Sequence, residues 1–222
     1  FLGAVCSVYV IRIYHGIARY FARFKAPYPK AIIGSLALGA LIFVFPPLFG
    51  EGYDSVRLLL ANEAGALATY APVQLELGVW NIVFLALGLM LLKVVATSLT
   101  LGAGGNGGMF GPSLFIGAML GFVFAHTVNL SGITHLNEVN FTVVGMAAML
   151  SGTIHVPLTA IFLIAEITGG YALFVPLMIV SSLSYLVSKY LHHDSVYGTP
   201  PLLAAPHVTT DRHSLGHSDT AG

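Results

Sequence analysis

The sequence predicts an all-α, polytopic membrane protein with discontinuous helices, and three observations carry that expectation. Hydrophobic residues make up 56% of the 222-residue chain and charged residues only 8%, against about 25% charged in soluble domains. Several apolar segments are shorter than the ~20 helical residues that a bilayer core requires. Gly and Pro interrupt those segments repeatedly, and half-length helices survive at membrane depth only where protein or a water-filled cavity surrounds their ends. Nine basic residues balance nine acidic ones, which argues against nucleic acid as a partner. The single cysteine, Cys6, excludes an internal disulfide and a thiolate metal cluster. It reads as a small apolar residue in a helix.

In chain order, Leu2 to about Tyr20 reads as a first membrane helix, with Arg12 and His15 turned toward protein or the interface. Arg19, Arg23, Lys25 and Lys30 follow closely, with Pro27 and Pro29 expected to break the helix. The positive-inside rule places this loop in the cytoplasm. Ala31 to about Leu48 reads as a second span, closed by Pro46 and Pro47 on the outer side. Gly50-Glu51-Gly52-Tyr53 reads as a turn, and Asp54 as the N-cap of a short helix from Val56 to about Ala64. Trp80 to Leu101 is the clearest span. It opens on an interfacial aromatic and carries Lys93, a charge that must be paired, hydrated or snorkelling. Phe110 to about Val128 is apolar, and His135 to Asn140 reads as a polar loop. Phe141 to Leu150 is a short segment expected to end at Ser151-Gly152. Another runs from His155-Val156-Pro157 to Thr168, where Gly169-Gly170 breaks it. Tyr171 to about Leu191 is long enough to span, and the tail from His207 is polar. With neither an initiator Met nor a signal-peptide pattern ahead of its first apolar run, the chain is expected to be a fragment.

The most informative stretch runs from Gly104 through Gly108-Met-Phe-Gly-Pro112 to Gly117. Pro112 is pre-organised for the first turn of a helix, and the glycines keep side chains away from the backbone before it. Such a turn exposes free N–H groups at the positive end of a helix dipole. At membrane depth this is an uncharged anion-binding site.

These residues resemble the CLC chloride channel and chloride/proton antiporter family, in its C-terminal half. Gly108-Met-Phe-Gly-Pro112 with Ser113-Leu-Phe-Ile-Gly-Ala118 matches that family's GxFxP motif. Gly145-Met-Ala-Ala-Met149, and Pro157-Leu-Thr-Ala160 followed by Glu166, match its next blocks. Tyr197 falls where the family places a tyrosine near its final helix. The resemblance covers residues 1–203, read as the second half of a transmembrane domain, with 204–222 a disordered tail. It implies an inverted-repeat fold, a multi-pass protein of the plasma (inner) membrane, and transport of chloride, with protons in antiporter members. It also implies a homodimer that uses the segments around Pro157–Thr168 and Tyr171–Leu191. By position, the anion site would be Gly108, Met109, Phe110, Gly111 and Pro112 with Tyr197: the backbone N–H groups of Met109 and Phe110 would coordinate the anion, and Tyr197 would add its hydroxyl. No cofactor, catalytic residue or metal site is implied. The family's serine ligand, gating glutamate and internal proton-transfer glutamate belong to its first half, outside this sequence. The competing reading is therefore a non-transporting membrane scaffold, or a partner half.

Other signals read as structural. Gly102-Ala-Gly-Gly-Asn-Gly107 fits GxGxxG, but that fingerprint requires a preceding strand. Lys93 reads as a structural cation, and Glu166 as a carboxylate bonded to nearby backbone N–H groups. The nine histidines show no metal-binding pattern such as HExxH. Ser113 lacks a His–Asp partner, so hydrolase chemistry is rejected and no enzyme is expected.

Overall fold

Eight α-helices and three short 3-10 turns build the described residues, with no strand among them. The computed structural model describes residues 1–24, 26–70, 80–169 and 171–198. The expected tail at 204–222 lies outside the described residues. The helices are α1 (Leu2–Ala22), α2 (Pro27–Val44), α3 (Tyr53–Leu60), α4 (Asn81–Gly102), α5 (Phe110–Leu130), α6 (Glu138–Ile154), α7 (Pro157–Ile167) and α8 (Phe174–Leu191). By length and composition, three segments can cross a membrane: Asn81–Gly102, Phe110–Leu130 and Tyr171–Leu191. The spans expected at Leu2–Tyr20 and Ala31–Leu48 are not in that set: α1 has 21 residues but falls outside it, as do α2 and the shorter α6 and α7. Unequal spans of this kind are what the Gly and Pro interruptions predict.

α5 lies at the centre. Its Leu114, Phe115, Ile116, Ala118 and Met119 are fully buried, as expected of a helix that is apolar on every side. It meets α6 backbone to backbone. A Cβ on Gly117 would lie 2.5 Å from the Gly145 carbonyl oxygen, and one on Gly121 would strike the Phe141 carbonyl oxygen. Small residues permit this approach, and dispersion then holds it where no water is available to drive association.

Serines tie α1, α6 and α8 together. The Ser184 hydroxyl donates to the Ala148 carbonyl and that of Ser188 to the Gly152 carbonyl, both at 2.7 Å. Ser151 returns the pattern by donating to the Ser181 carbonyl at 2.7 Å, and Ser7 reaches Ser188 at 3.0 Å. Interhelical bonds of this type contribute on the order of 0.6 kcal/mol each in a membrane. Replacing Ser184 with Ala is therefore expected to cost less than about 2 kcal/mol, read as a small loss of thermal stability in detergent.

The structure corrects several local expectations. The helix does break where Pro27 and Pro29 predicted, with α1 ending at Ala22, but the two prolines lie in the opening turn of α2 because proline's fixed φ suits a first turn. Asp54 is not an N-cap. Gly52 takes that position at φ 82, and Asp54 lies in the first turn of α3, where its charge complements the dipole. A Cβ on Gly52 would collide with the Phe115 ring, so packing against α5 sets where α3 begins. The polar loop is shorter than expected: Asn137 caps α6 by accepting from the Asn140 N–H at 3.0 Å. Ser151-Gly152 does not end α6, which continues to Ile154. Gly152 faces the hydroxyls of Ser7 and Ser184, so it is a packing glycine. The break falls at His155, in left-handed conformation at φ 64, followed by Pro157 at the start of α7. Glu166 is exposed on α7. Its side chain makes no hydrogen bond among the described residues, because it shares the outward face of α7 with Leu158 and Phe162, while Ile161, Ile164 and Ala165 turn inward.

Candidate anion site

The glycine-rich turn emerges from the C-terminus of α4 and runs into α5. Gly104 adopts φ 94 and ends the α4 direction, while its N–H and that of Gly105 donate to Leu101 and Thr100 at 3.1 and 2.9 Å. These bonds satisfy the last carbonyls of α4. Met109 is the N-cap of α5, and Phe110 its first residue. The Met109 carbonyl accepts from the Ser113 N–H at 3.0 Å and the Ser113 hydroxyl at 2.6 Å. Ser113 is thus a buried anchor of the first turn. Among the described residues, the N–H groups of Phe110 and Gly111 donate to no backbone carbonyl outside a helix. They are orphan donors of the first turn, at the positive end of the α5 dipole.

Tyr197 arrives from the far end of the chain. The Met109 N–H donates to its hydroxyl at 3.1 Å. A Cβ on Gly108 would meet the same hydroxyl at 3.5 Å. Gly108 therefore leaves the space in which the tyrosine approaches the backbone. The phenol accepts from Met109, and its own hydrogen has no acceptor among the described residues. The loop that carries it is pinned by the Val196 N–H, which donates to the Thr153 carbonyl at 3.0 Å. His192 lies beside His15 of α1, with ring centroids 6.2 Å apart. The expected residues Gly108, Met109, Phe110, Gly111, Pro112 and Tyr197 thus meet at one place.

A cleft of about 350 Å³ adjoins the turn, lined by Glu51, Lys93, Thr97, Thr100, Asn106, Gly107, Gly108 and Pro112 among others. Lys93 is 1% exposed, so it does not snorkel. Its ammonium donates to the Leu48 and Gly50 carbonyls at 3.0 and 2.7 Å and lies 5.1 Å from the Phe115 ring centre. The expectation of a structural cation holds, with three partners that the sequence did not identify. Lys93 fastens the turn at 48–52 to α4 and touches α5 through the Phe115 ring.

Glu51 is the residue that sequence reading missed. Its Cδ, Cγ and Cβ would lie 3.2, 3.3 and 3.4 Å from a Cβ on Gly111, so it packs directly against the motif. The only signal in the sequence was an acid between two glycines. GxGxxG at 102–107 follows a helix, α4, so the strand that a dinucleotide fingerprint needs is not there. Elsewhere, Asn129, His126 and Glu138 tie the α5–α6 loop together: Glu138 accepts from Asn129 at 3.1 Å and pairs with His126 at 2.8 Å.

Residues 1–189 match the family described as "Voltage gated chloride channel". The chain is 29% identical over 202 residues to the voltage-gated ClC-type chloride channel ClcB of Escherichia coli O9:H4 (strain HS), covering 88% of this chain and 43% of that protein. ClcB of E. coli K12 (strain DH10B) matches to the same extent. A crystal structure of a slow cyanobacterial Cl-/H+ antiporter superposes with a TM-score of 0.64 at 23% identity, over 88% of this chain and 44% of that one. The chain thus spans less than half the length of the relatives it matches.

Proposed function

The chain belongs to the voltage-gated chloride channel family, and from that premise we propose that residues 1–203 form the second half of a chloride-transporting membrane domain. The helical fold is that of the CLC proteins, an integral membrane architecture of discontinuous helices. In this reading the anion is held in the Gly108–Pro112 turn by the free N–H of Phe110, by the Met109 N–H once the anion displaces the Tyr197 hydroxyl from it, and by that hydroxyl as a further donor. The observation that carries it is the 3.1 Å bond from the Met109 N–H to the Tyr197 hydroxyl. It brings the motif and the tyrosine together with the phenolic hydrogen left over for an anion. Neutral donors suit transport, because they replace water around the anion yet release it.

The exposed apolar side chains of α7 and α8, including Leu158, Phe162, Ile179 and Leu186, suit contact with lipid or with a second copy. Homodimerisation through them is part of the proposal, as is residence in a bacterial inner membrane. The scaffold reading is not favoured, since family membership and the convergence of the motif with Tyr197 both point to transport.

The test is chloride efflux from proteoliposomes holding the full-length subunit, with and without an imposed proton gradient. Chloride moved uphill by protons identifies an antiporter, and flux indifferent to the gradient identifies a channel. No flux from folded protein would sink the proposal. Tyr197→Phe is expected to weaken chloride binding roughly tenfold or more, the range for a hydrogen bond to a charge. Isothermal titration with chloride checks this, and an unchanged affinity would remove Tyr197 from the site.

A further inference from the structure

The Gly108–Pro112 turn is flanked from two directions, and only one flank is the expected tyrosine. Tyr197 reaches Gly108 and Met109 on a loop that lies beside His15, near the basic end of α1. Glu51 reaches Gly111 from the opposite end of α2, beyond Val44. By the positive-inside rule, the tyrosine approaches from the cytoplasmic side and the glutamate from the outer side.

The position of Glu51 is built rather than incidental. Lys93 holds the carbonyls of Leu48 and Gly50, Gly52 is pressed against the Phe115 ring, and Gly111 has no side chain to exclude it. The charge of Glu51 is not cancelled by a direct pair. Among the described residues the one ion pair is His126 with Glu138, and the Lys93 ammonium donates to the Leu48 and Gly50 carbonyls, so its positive charge acts on Glu51 only across the cleft. The groups facing Glu51 are Lys93 across the cleft and Tyr53, Asp54 and Arg57 around the outer opening. Burial, then the Glu51 carboxylate, raises the Tyr53 phenol above its ordinary pKa.

We propose that Glu51 is a carboxylate that sets the affinity of the anion path, its charge competing with the transported anion for the N-terminus of α5. This rests on the reading of the Gly108–Pro112 turn as the anion site. A carboxylate and an anion at one helix terminus repel each other while each is attracted by the dipole. Anion binding is then favoured when Glu51 takes up a proton, and disfavoured when it is ionised.

The test uses the full-length subunit in detergent, with chloride as the titrant and calorimetry as the readout. Glu51→Gln keeps the shape and removes the charge, while Glu51→Ala removes both. Both variants are expected to bind chloride roughly 3- to 50-fold more tightly than the parent, the range for unit charges several ångströms apart between protein-surface and bulk-water screening. Acidification is expected to tighten binding in the parent and to have far less effect in the variants. If the parent binds chloride and Glu51→Gln matches it within about twofold, the proposal is overturned. If only Glu51→Ala binds more tightly, bulk rather than charge is responsible, and it is likewise overturned. If neither parent nor variants bind chloride while all unfold cooperatively, the anion-site reading falls and this inference with it.

Discussion

Gly145→Ala is expected to destabilise the protein by about 1–3 kcal/mol or more, the cost of overpacking a close-packed contact. The added methyl would strike the Gly117 carbonyl oxygen and lie 2.9 Å from the Cα and N of Gly121. All of these are backbone atoms of α5, so no side chain can rotate away. The two helices would have to separate, and α5 is the element that carries the Gly108–Pro112 turn at its start. The effect should therefore reach the site as well as the fold. Gly88→Ala provides the contrast. It lies in α4, and a Cβ there meets nothing within 4 Å. Alanine at that position should gain about 0.5–1 kcal/mol from helix propensity. Thermal unfolding of the full-length protein in detergent reads both changes. Equal shifts in the two variants would show that the α5–α6 approach is not the constraint described here.

Lys93→Met is expected to lower stability and to impair chloride binding together. Methionine conserves much of the volume but leaves the Leu48 and Gly50 carbonyls without their buried donor. Each such group costs about 1–3 kcal/mol when stranded. The cation–π contact with Phe115 is lost as well. The turn at 48–52 would loosen, and with it the seating of Gly52 and Glu51 against α5. Thermal unfolding reads the first effect and chloride calorimetry the second. A variant as stable as the parent, with unchanged affinity, would mean that Lys93 does not hold this turn. Glu51→Gln makes a useful comparison, because it alters the charge at the cleft and leaves the lysine's carbonyl partners in place.

Much of the architecture was legible because its causes are local. The low charge and long apolar runs dictate a bilayer setting. Glycine density followed by Pro112 dictates a turn and a helix start. Pro157 after His155 dictates a break. Local signals misled where a distant element supplied the deciding contact. Ser151-Gly152 looks like a stop but lies inside α6, because Ser7 and the serines of α8 pack against that glycine and bond the neighbouring carbonyls. Asp54 looks like a cap, yet Gly52 takes the role because the Phe115 ring leaves no room for a side chain. Glu166 looks like a buried carboxylate in an apolar run, but it falls on the outward face of α7, with Leu158 and Phe162.

The candidate site divides along the same line. The sequence by itself determined that the Gly108–Pro112 turn would present free backbone donors, since glycine, proline and a helix start suffice for that. Resemblance to the family added Tyr197. Only the tertiary structure decided that the Met109 N–H meets the Tyr197 hydroxyl, 88 positions away in the chain, and that Glu51 lies on Gly111. It also assigned Lys93 to the carbonyls of a turn more than forty residues before it. The physical reason is that backbone conformation follows from neighbouring residues, whereas the partners of a side chain follow from which helices pack together. That packing is settled by steric fit across the whole bundle.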